Sequence, residues 1–147
     1  MMNVLIAHTR DTMSDIYLDA LKIRNQVFVI EQNVPLELEI DQYEAHTVHF
    51  VLYDEQRQPL ATVRLLPKEN QTMKVQRMAV LNEHRQKGLG KVIMDAAEDF
   101  AKEQGYQQLV LGAQLTAVPF YERLGYQAEG DIFLDAEIEH VAMTKEV

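Results

Sequence analysis

The chain has 147 residues, a formal net charge of −9 and no cysteine. This length fits one domain, and no apolar run reaches the roughly 20 residues that a membrane span requires. The acidic balance disfavours a nucleic-acid-binding protein, and the missing cysteines exclude disulfide bonds and a thiol nucleophile. Because the N-terminus also lacks the pattern of a secretory signal, we expect a cytoplasmic protein that binds neither nucleic acid nor membrane.

The N-terminal half alternates short apolar segments with turns. Residues 11–26 predict a helix, because apolar side chains recur there at helical spacing. Residues 33–45 predict a loop that is rich in acids and contains Pro35. The predicted strands in this half, rich in β-branched and other apolar residues, are 4–7 at an edge, 47–53 and 60–66 as a hairpin, and 72–80.

The C-terminal half contains the most regular helical pattern of the chain. Its apolar stripe consists of Leu89, Val92, Ile93, Ala96, Ala97, Phe100 and Ala101, and Gly105 ends it. Residues 108–113 have few charges, which favours an interior strand. Thr116 is expected to cap a short helix over 117–124. Strands near Tyr126 and over 139–144 complete an α/β domain with a mixed sheet.

A basic segment with two glycines joins the strand over 72–80 to the long helix. Between Lys74 and Lys91 the chain carries five cations and one acid, a local charge of +4. Gly88 and Gly90 would let the backbone approach a pyrophosphate, whose oxygens the first helical amides could bind. Arg85 and Lys87 would add charge-assisted bonds. A turn that uses glycine only for its conformation is the alternative.

Two other phosphate-binding motifs fail on residues that their chemistry requires. A P-loop needs a hydroxyl after its lysine, and Val92 follows Lys91. A dinucleotide fingerprint needs a third glycine, and Ile93 occupies that position.

The segment from Gln76 to Lys91 resembles the acetyl-CoA motif of the GNAT superfamily of N-acetyltransferases. A second block, residues 117–126, resembles the helix and turn that line the CoA cleft in that family. Residues 24–32 resemble a branch of small bacterial members, the ElaA-like or YjcF-like proteins. The resemblance covers most of the chain and implies one domain over residues 1–147, of the α/β (α+β) class. Its mixed central β-sheet would have about six to seven strands flanked by helices.

The resemblance implies acetyl-CoA as co-substrate, without a metal. The residues expected to bind it are Met78, Ala79, Val80, Arg85, Gln86, Lys87, Gly88, Leu89, Gly90, Lys91, Gln114, Ala117, Phe120 and Tyr121. Met78 and Val80 would contact pantetheine through their backbones, and a backbone N–H there would polarise the thioester carbonyl. Gln114 would bind the pantetheine arm or serve only as a loop residue.

By the same resemblance, the Tyr121 hydroxyl would lie near the sulfur as the general acid. The alternative is a half-buried tyrosine on an amphipathic helix. Glu31 and His140 are candidates for the general base, and His46 and Glu139 stay open. Since successive strand residues point to opposite faces, at most one of Glu139 and His140 faces the cleft. The same parity argues against His46 and His49 as a metal pair.

We therefore expect an N-acyltransferase that passes an acetyl group from acetyl-CoA to an amine by direct attack in a ternary complex. The acceptor is a small-molecule or peptide amine, and its identity would depend on residues 26–45 and 130–140. The five acids of residues 31–44 would attract a cationic amine if they rim that site, and otherwise form a solvated loop. A non-catalytic acyl-CoA sensor and an acyl-homoserine lactone synthase are alternatives. A homodimer, common among relatives, is left open.

Overall fold

Residues 3–147 are described by a computed structural model, in which seven strands form one mixed β-sheet. The strands are β1 (Leu5–Thr9), β2 (Val48–Tyr53), β3 (Pro59–Pro67), β4 (Thr72–Val80), β5 (Gln108–Gln114), β6 (Gln127–Asp135) and β7 (Ile138–Glu146). Their order in the sheet is β1-β2-β3-β4-β5-β7-β6, and only the pair β4–β5 is parallel. The predicted α/β fold class and mixed sheet are therefore confirmed.

Four α-helices connect the strands: α1 (Asp15–Arg24), α2 (Leu36–Glu39), α3 (Leu89–Glu103) and α4 (Val118–Arg123). A π-helical turn over Asn25–Glu31 continues α1. Short 3-10 turns span Glu44–His46, Asn82–His84 and Leu115–Ala117. No helix within residues 3–147 has the length and apolar character that a membrane span would need.

Three local predictions were wrong. The first helix begins at Asp15 rather than residue 11, because the Ser14 hydroxyl caps it by accepting a bond from the Tyr17 amide. The predicted loop over 33–45 contains α2 and part of a 3-10 turn. Thr116 caps nothing, since α4 follows Ala117 without a side-chain cap.

The two long helices pack on opposite faces of the sheet. Along β2, Phe50 and Leu52 contact the cluster of α3, whereas Val51 and Tyr53 contact the cluster of α1. This alternation is the two-residue period of a strand that is buried on both faces. On α3 the buried stripe differs from the prediction, because Met94 is buried whereas Val92, which was predicted to belong to the stripe, is partly exposed.

The sheet divides between its two parallel strands. β4 and β5 pair only from Thr72–Gln108 to Val75–Leu111, and β5 pairs with β7 along its whole length. Beyond Val75 the β5-facing edge of β4 has no strand partner among residues 3–147. This divergence opens a gap at the carboxyl ends of β4 and β5, and α3 and α4 begin beside it.

Candidate active site

A β-bulge in β4 shapes one wall of the gap. The register between β3 and β4 shifts between Thr62 and Arg64, and Arg77 adopts a left-handed φ of 56°. Such bulges break the ladder and re-aim the backbone. Since residues 76–80 have no partner on their β5-facing edge, their backbone polar groups on that edge open onto the gap.

The gap holds a cavity of about 920 Å³. Its lining includes every residue that the sequence predicts for CoA binding except Lys87. The cavity is also lined by the segment after α1 and by the β6–β7 hairpin, with Phe28, Val34, Leu38, Phe133 and Ile138 among its apolar residues. One cavity thus joins the predicted cofactor loop to both segments predicted to select the acceptor.

Positions 88 and 90 of the basic loop favour glycine for different structural reasons. Gly88 precedes α3 with a φ of 79°, which favours glycine. At Gly90 a Cβ would lie 3.0 Å from the Phe120 ring, so glycine allows α3 to approach α4 closely. The first helical amide that bonds within this turn is that of Val92, to the Gly88 carbonyl at 3.2 Å. The amides of residues 89–91 precede it and lack carbonyl partners in the helix.

The cations of this loop are largely paired with acids, which the local charge of +4 did not reveal. Arg85 binds both carboxylate oxygens of Glu31, at 2.6 and 2.8 Å, and donates to the Val80 carbonyl at 2.9 Å. Lys91 binds Asp95 at 2.7 Å. The hydrogen bond from Arg85 lowers the pKa of the Glu31 carboxyl. Glu31 does not line the cavity, and its carboxylate is bonded to Arg85. The structure therefore favours an ion-pairing role for Glu31 over that of a general base.

Tyr121 presents its hydroxyl to the cavity from α4. Its ring packs edge-on against Phe120 and Tyr126, with centroids 5.0 and 5.7 Å away. The hydroxyl forms no hydrogen bond with any group within residues 3–147, and its oxygen is accessible to solvent. Burial raises the pKa of Tyr121 above its ordinary value. The side chain is therefore a fixed neutral donor with no partner in the chain.

His140 lines the same cavity from β7. Its Nδ1 lies 2.7 Å from the Ile138 carbonyl, which can only accept, so Nδ1 carries the proton. The ring stacks on Phe133 at 5.7 Å and is 8% exposed. In the neutral ring Nε2 retains its lone pair and has no partner among the described residues. Glu139 is exposed and outside the cavity lining.

His46 and His49 lie away from the cavity, whereas His84 is among its lining residues. His46 is exposed in a 3-10 turn rather than on a strand, so the parity argument for His46 and His49 rested on a wrong element. His49 is fully buried, with Nε2 2.8 Å from the Glu44 carbonyl. Among residues 3–147 no three His, Asp or Glu side chains are grouped closely enough to hold a metal ion.

Gln114 lies at the end of β5 and lines the cavity. Its amide nitrogen donates to the Gln32 side-chain oxygen at 3.0 Å. This bond connects β5 to the segment after α1 across 82 residues of sequence. A pantetheine contact from Gln114 would therefore share or replace this bond.

A buried ionic network, which sequence reasoning missed, holds the acidic segment in place. Arg24 and Arg64 are each 1% exposed, and Arg77 lies beside them. They bind the carboxylates of Glu39, Asp41 and Glu44. Burial opposes ionisation of Glu44, but bonds from Arg24 and from the Asp41 amide lower its pKa overall.

The alternative of a solvated loop is wrong for these three acids, and their ion pairs with arginines offset the negative charge that an attractive rim would supply. The arginines in the sequence could have indicated this buried network. An arginine inside an apolar strand such as β3 requires a buried acidic partner, because an unpaired buried charge is strongly destabilising.

The family of acetyltransferase (GNAT) domains matches residues 13–147. The uncharacterised N-acetyltransferase YjcF of Bacillus subtilis is 40% identical over 99% of this chain and 100% of its own. The chain therefore belongs to the GNAT acetyltransferase family, and the resemblance to its YjcF-like branch is confirmed.

Solved structures show the same architecture. An acyl-CoA N-acyltransferase of Pseudomonas aeruginosa superposes with a TM-score of 0.83 at 27% identity, covering 99% of both chains. Escherichia coli ElaA superposes with a TM-score of 0.84 at 22% identity, over 99% of this chain and 100% of its own. The ElaA likeness concerns the fold, and it agrees with the resemblance found in residues 24–32.

Proposed function

We propose that this acetyltransferase transfers the acetyl group of acetyl-CoA to an amine by direct attack, with both substrates bound together. The observation that carries the proposal is the cavity where the open edge of β4, the N-terminus of α3, Tyr121 and His140 meet. The Pseudomonas neighbour is named for acyl-CoA as donor, which supports the same donor class here.

The residues at the α3 end fit a CoA diphosphate. Leu89, Gly90 and Lys91 form the first turn of α3 and line the cavity, and the free amides and positive dipole end of such a turn favour an anion. A Cβ at position 90 would lie only 3.0 Å from the Phe120 ring, so glycine favours the close approach at this point. The open backbone edge of Met78, Ala79 and Val80 would hold the pantetheine arm as an added strand would, through main-chain bonds.

When bound, acetyl-CoA supplies a thioester whose carbonyl carbon accepts the amine nitrogen while the carbon–sulfur bond breaks. A backbone N–H of the β4 bulge polarises the carbonyl oxygen, a contribution of about 3 kcal/mol for one well-placed donor. His140 Nε2 accepts the proton that the amine loses. The Ile138 carbonyl fixes the His140 tautomer that leaves Nε2 free for this task.

Tyr121 faces the leaving sulfur as a hydrogen-bond donor. A thiol has an ordinary pKa of about 8.5, and the pKa of Tyr121 is raised by burial above the usual 10 or so. Full proton transfer from the phenol to the thiolate is therefore uphill. The hydroxyl stabilises the developing thiolate by its hydrogen bond, and the proton released from the amine balances the thiolate charge.

The test uses the purified full chain with acetyl-CoA. We expect calorimetry to detect acetyl-CoA binding, and free thiol to be released when a panel of small amines and peptides is added. Mass spectrometry of the products would show one added acetyl group on the acceptor nitrogen. Binding without thiol release from any amine would instead indicate the non-catalytic acyl-CoA sensor. Release with S-adenosylmethionine and a lactone product would indicate acyl-homoserine lactone synthesis.

A further inference from the structure

One face of the β6–β7 hairpin points into the cavity. Phe133 pairs with His140 and Asp135 pairs with Ile138 across the two strands. Since strand residues two apart share a face, these four side chains lie on the same side of the hairpin. All four line the cavity, whereas Leu134 and Glu139 on the other face do not. The Phe133 ring lies against Gly112, where a Cβ would come within 3.1 Å of it.

Asp135 brings an unpaired negative charge to this face. Two acids line the cavity, and the other, Glu39, is held by Arg24 and Arg77. Within residues 3–147 no cation lies within ion-pair distance of Asp135. The hairpin over residues 127–140 contains five acids and no Lys or Arg, so its own sequence offers no counter-ion. Asp135 is exposed to solvent, and its carboxylate is free to pair with a cationic group of a ligand bound in the cavity.

His140 independently marks the same place as a ligand site. The side chain is 8% exposed, its Nδ1 is satisfied by a carbonyl, and its Nε2 opens into the cavity without a partner. The side chain is thus mostly buried while this one nitrogen stays accessible, which leaves Nε2 free to bond to a molecule bound in the cavity.

The spacing between these groups defines the chemistry of the ligand. Because Phe133 is the direct partner of His140, Asp135 is its diagonal neighbour, at roughly 7–8 Å. Ile138 lies between them on the same face and offers an apolar surface. An acceptor that contacts His140, Ile138 and Asp135 together carries a reactive amine, an aliphatic spacer and a second positive charge.

We propose that Asp135 selects a cationic acceptor, an aliphatic diamine or polyamine, by binding the ammonium that does not react. This inference rests on the proposed function, since His140 then receives the proton of the reacting amine. The ammonium at Asp135 gains a charge-assisted bond, and the spacer packs on Ile138.

The experiment compares diaminobutane with butylamine, which has the same chain length and lacks the second charge. For the unaltered protein we expect the KM of diaminobutane to be roughly tenfold lower, as for one partly exposed charge-assisted contact. In Asp135→Asn this preference disappears, because the KM of diaminobutane rises about tenfold relative to the KM of butylamine. Glu137→Gln removes the same charge two residues away, outside the cavity lining, and keeps the preference.

Equal KM values for both amines in the unaltered protein, or a preference that survives in Asp135→Asn, would overturn the inference. So would normal acetyl-CoA binding with turnover of other amines but not of diaminobutane. The proposed function stands in each of these cases. It fails separately if calorimetry detects no acetyl-CoA binding at all, and the inference then fails with it.

Discussion

At the scale of single residues, each side chain proposed for catalysis has a polar atom without a hydrogen-bond partner among the described residues. Tyr121 and His140 each keep one polar atom without a bond inside the described chain, and both atoms open into the cavity. The more conspicuous charged residues, Arg85 and Glu31, satisfy each other. In this site, availability of an atom indicates function better than charge does.

Replacing Tyr121 by Phe removes one hydroxyl that has no partner within residues 3–147. We expect kcat to fall about a hundredfold, at the lower end of what a positioned proton donor contributes. The KM for acetyl-CoA and the free energy of unfolding should change little, because the ring keeps its contacts with Phe120 and Tyr126. Steady-state kinetics and urea denaturation would measure these quantities.

Tyr106→Phe is the matched control, since Tyr106 is half-buried outside the cavity lining. An equal loss of kcat in both variants, or none in Tyr121→Phe, would contradict the role of the Tyr121 hydroxyl.

At the scale of elements, the CoA loop is tied to the end of the π-helical turn. Arg85 and Glu31 are 54 residues apart in sequence and form a two-bond ion pair at the surface. A diphosphate on the loop and the Glu31 carboxylate would compete for the same guanidinium. Binding of acetyl-CoA to this loop would thereby be linked to the segment that follows α1.

Glu31→Gln should therefore strengthen acetyl-CoA binding by a few fold. The guanidinium of Arg85 would no longer have to leave a carboxylate in order to bind a phosphate oxygen. The unfolding free energy should change by less than about 1 kcal/mol, as for other exposed pairs. Calorimetry at two salt concentrations would measure the affinity.

Glu83→Gln, in the same loop, removes one charge without an ion-pair partner among the described residues. If both variants improve binding equally, the effect is a general reduction of negative charge, and Arg85 is not the cause.

The buried arginines hold α2 and the following turn against the sheet. Glu44 binds Arg24 at 2.7 Å and Arg64 at 2.9 Å, and it is mostly buried. In Glu44→Gln an amide would present N–H donors to guanidinium donors, leaving buried charge without compensation. We expect a loss of roughly 3–5 kcal/mol in unfolding free energy, measured by urea denaturation.

Glu37→Gln is the control from the same acidic segment, because Glu37 is exposed. Its effect should stay within about 0.5 kcal/mol. A similar small loss in both variants would show that the network contributes little to stability.

At the scale of the whole molecule, the sequence predicted what local patterns determine. The strand bounds, the stripe of α3 and the glycine loop depend on residues that are close in sequence. The divergence of β4 from β5, the bond between Gln114 and Gln32 and the partners of Arg24 depend on tertiary packing. No spacing rule links such residues, so the local charge of +4 did not reveal that Arg85 pairs with Glu31 and Lys91 with Asp95.

The pH dependence of the unfolding free energy tests the buried environment of His49, which the sequence did not predict. Burial lowers the pKa of His49 below its ordinary value of about 6.5. The folded protein therefore keeps His49 neutral at pH values where the unfolded chain binds a proton. The unfolded state gains protons as the pH falls, so stability is full above about pH 7 and declines below it. The slope from this one group reaches at most about 1.4 kcal/mol per pH unit.

Thermal or urea unfolding between about pH 7.5 and 5.5 would measure this slope, above the range in which carboxylates such as Glu44 are protonated. In His49→Gln, where the side-chain amide can still donate to the Glu44 carbonyl, we expect lower stability at every pH but a flatter dependence. His46→Gln, at an exposed position, should keep the slope of the unaltered protein. An unchanged slope in His49→Gln would mean that the buried imidazole titrates alike in both states, which contradicts the environment seen around it.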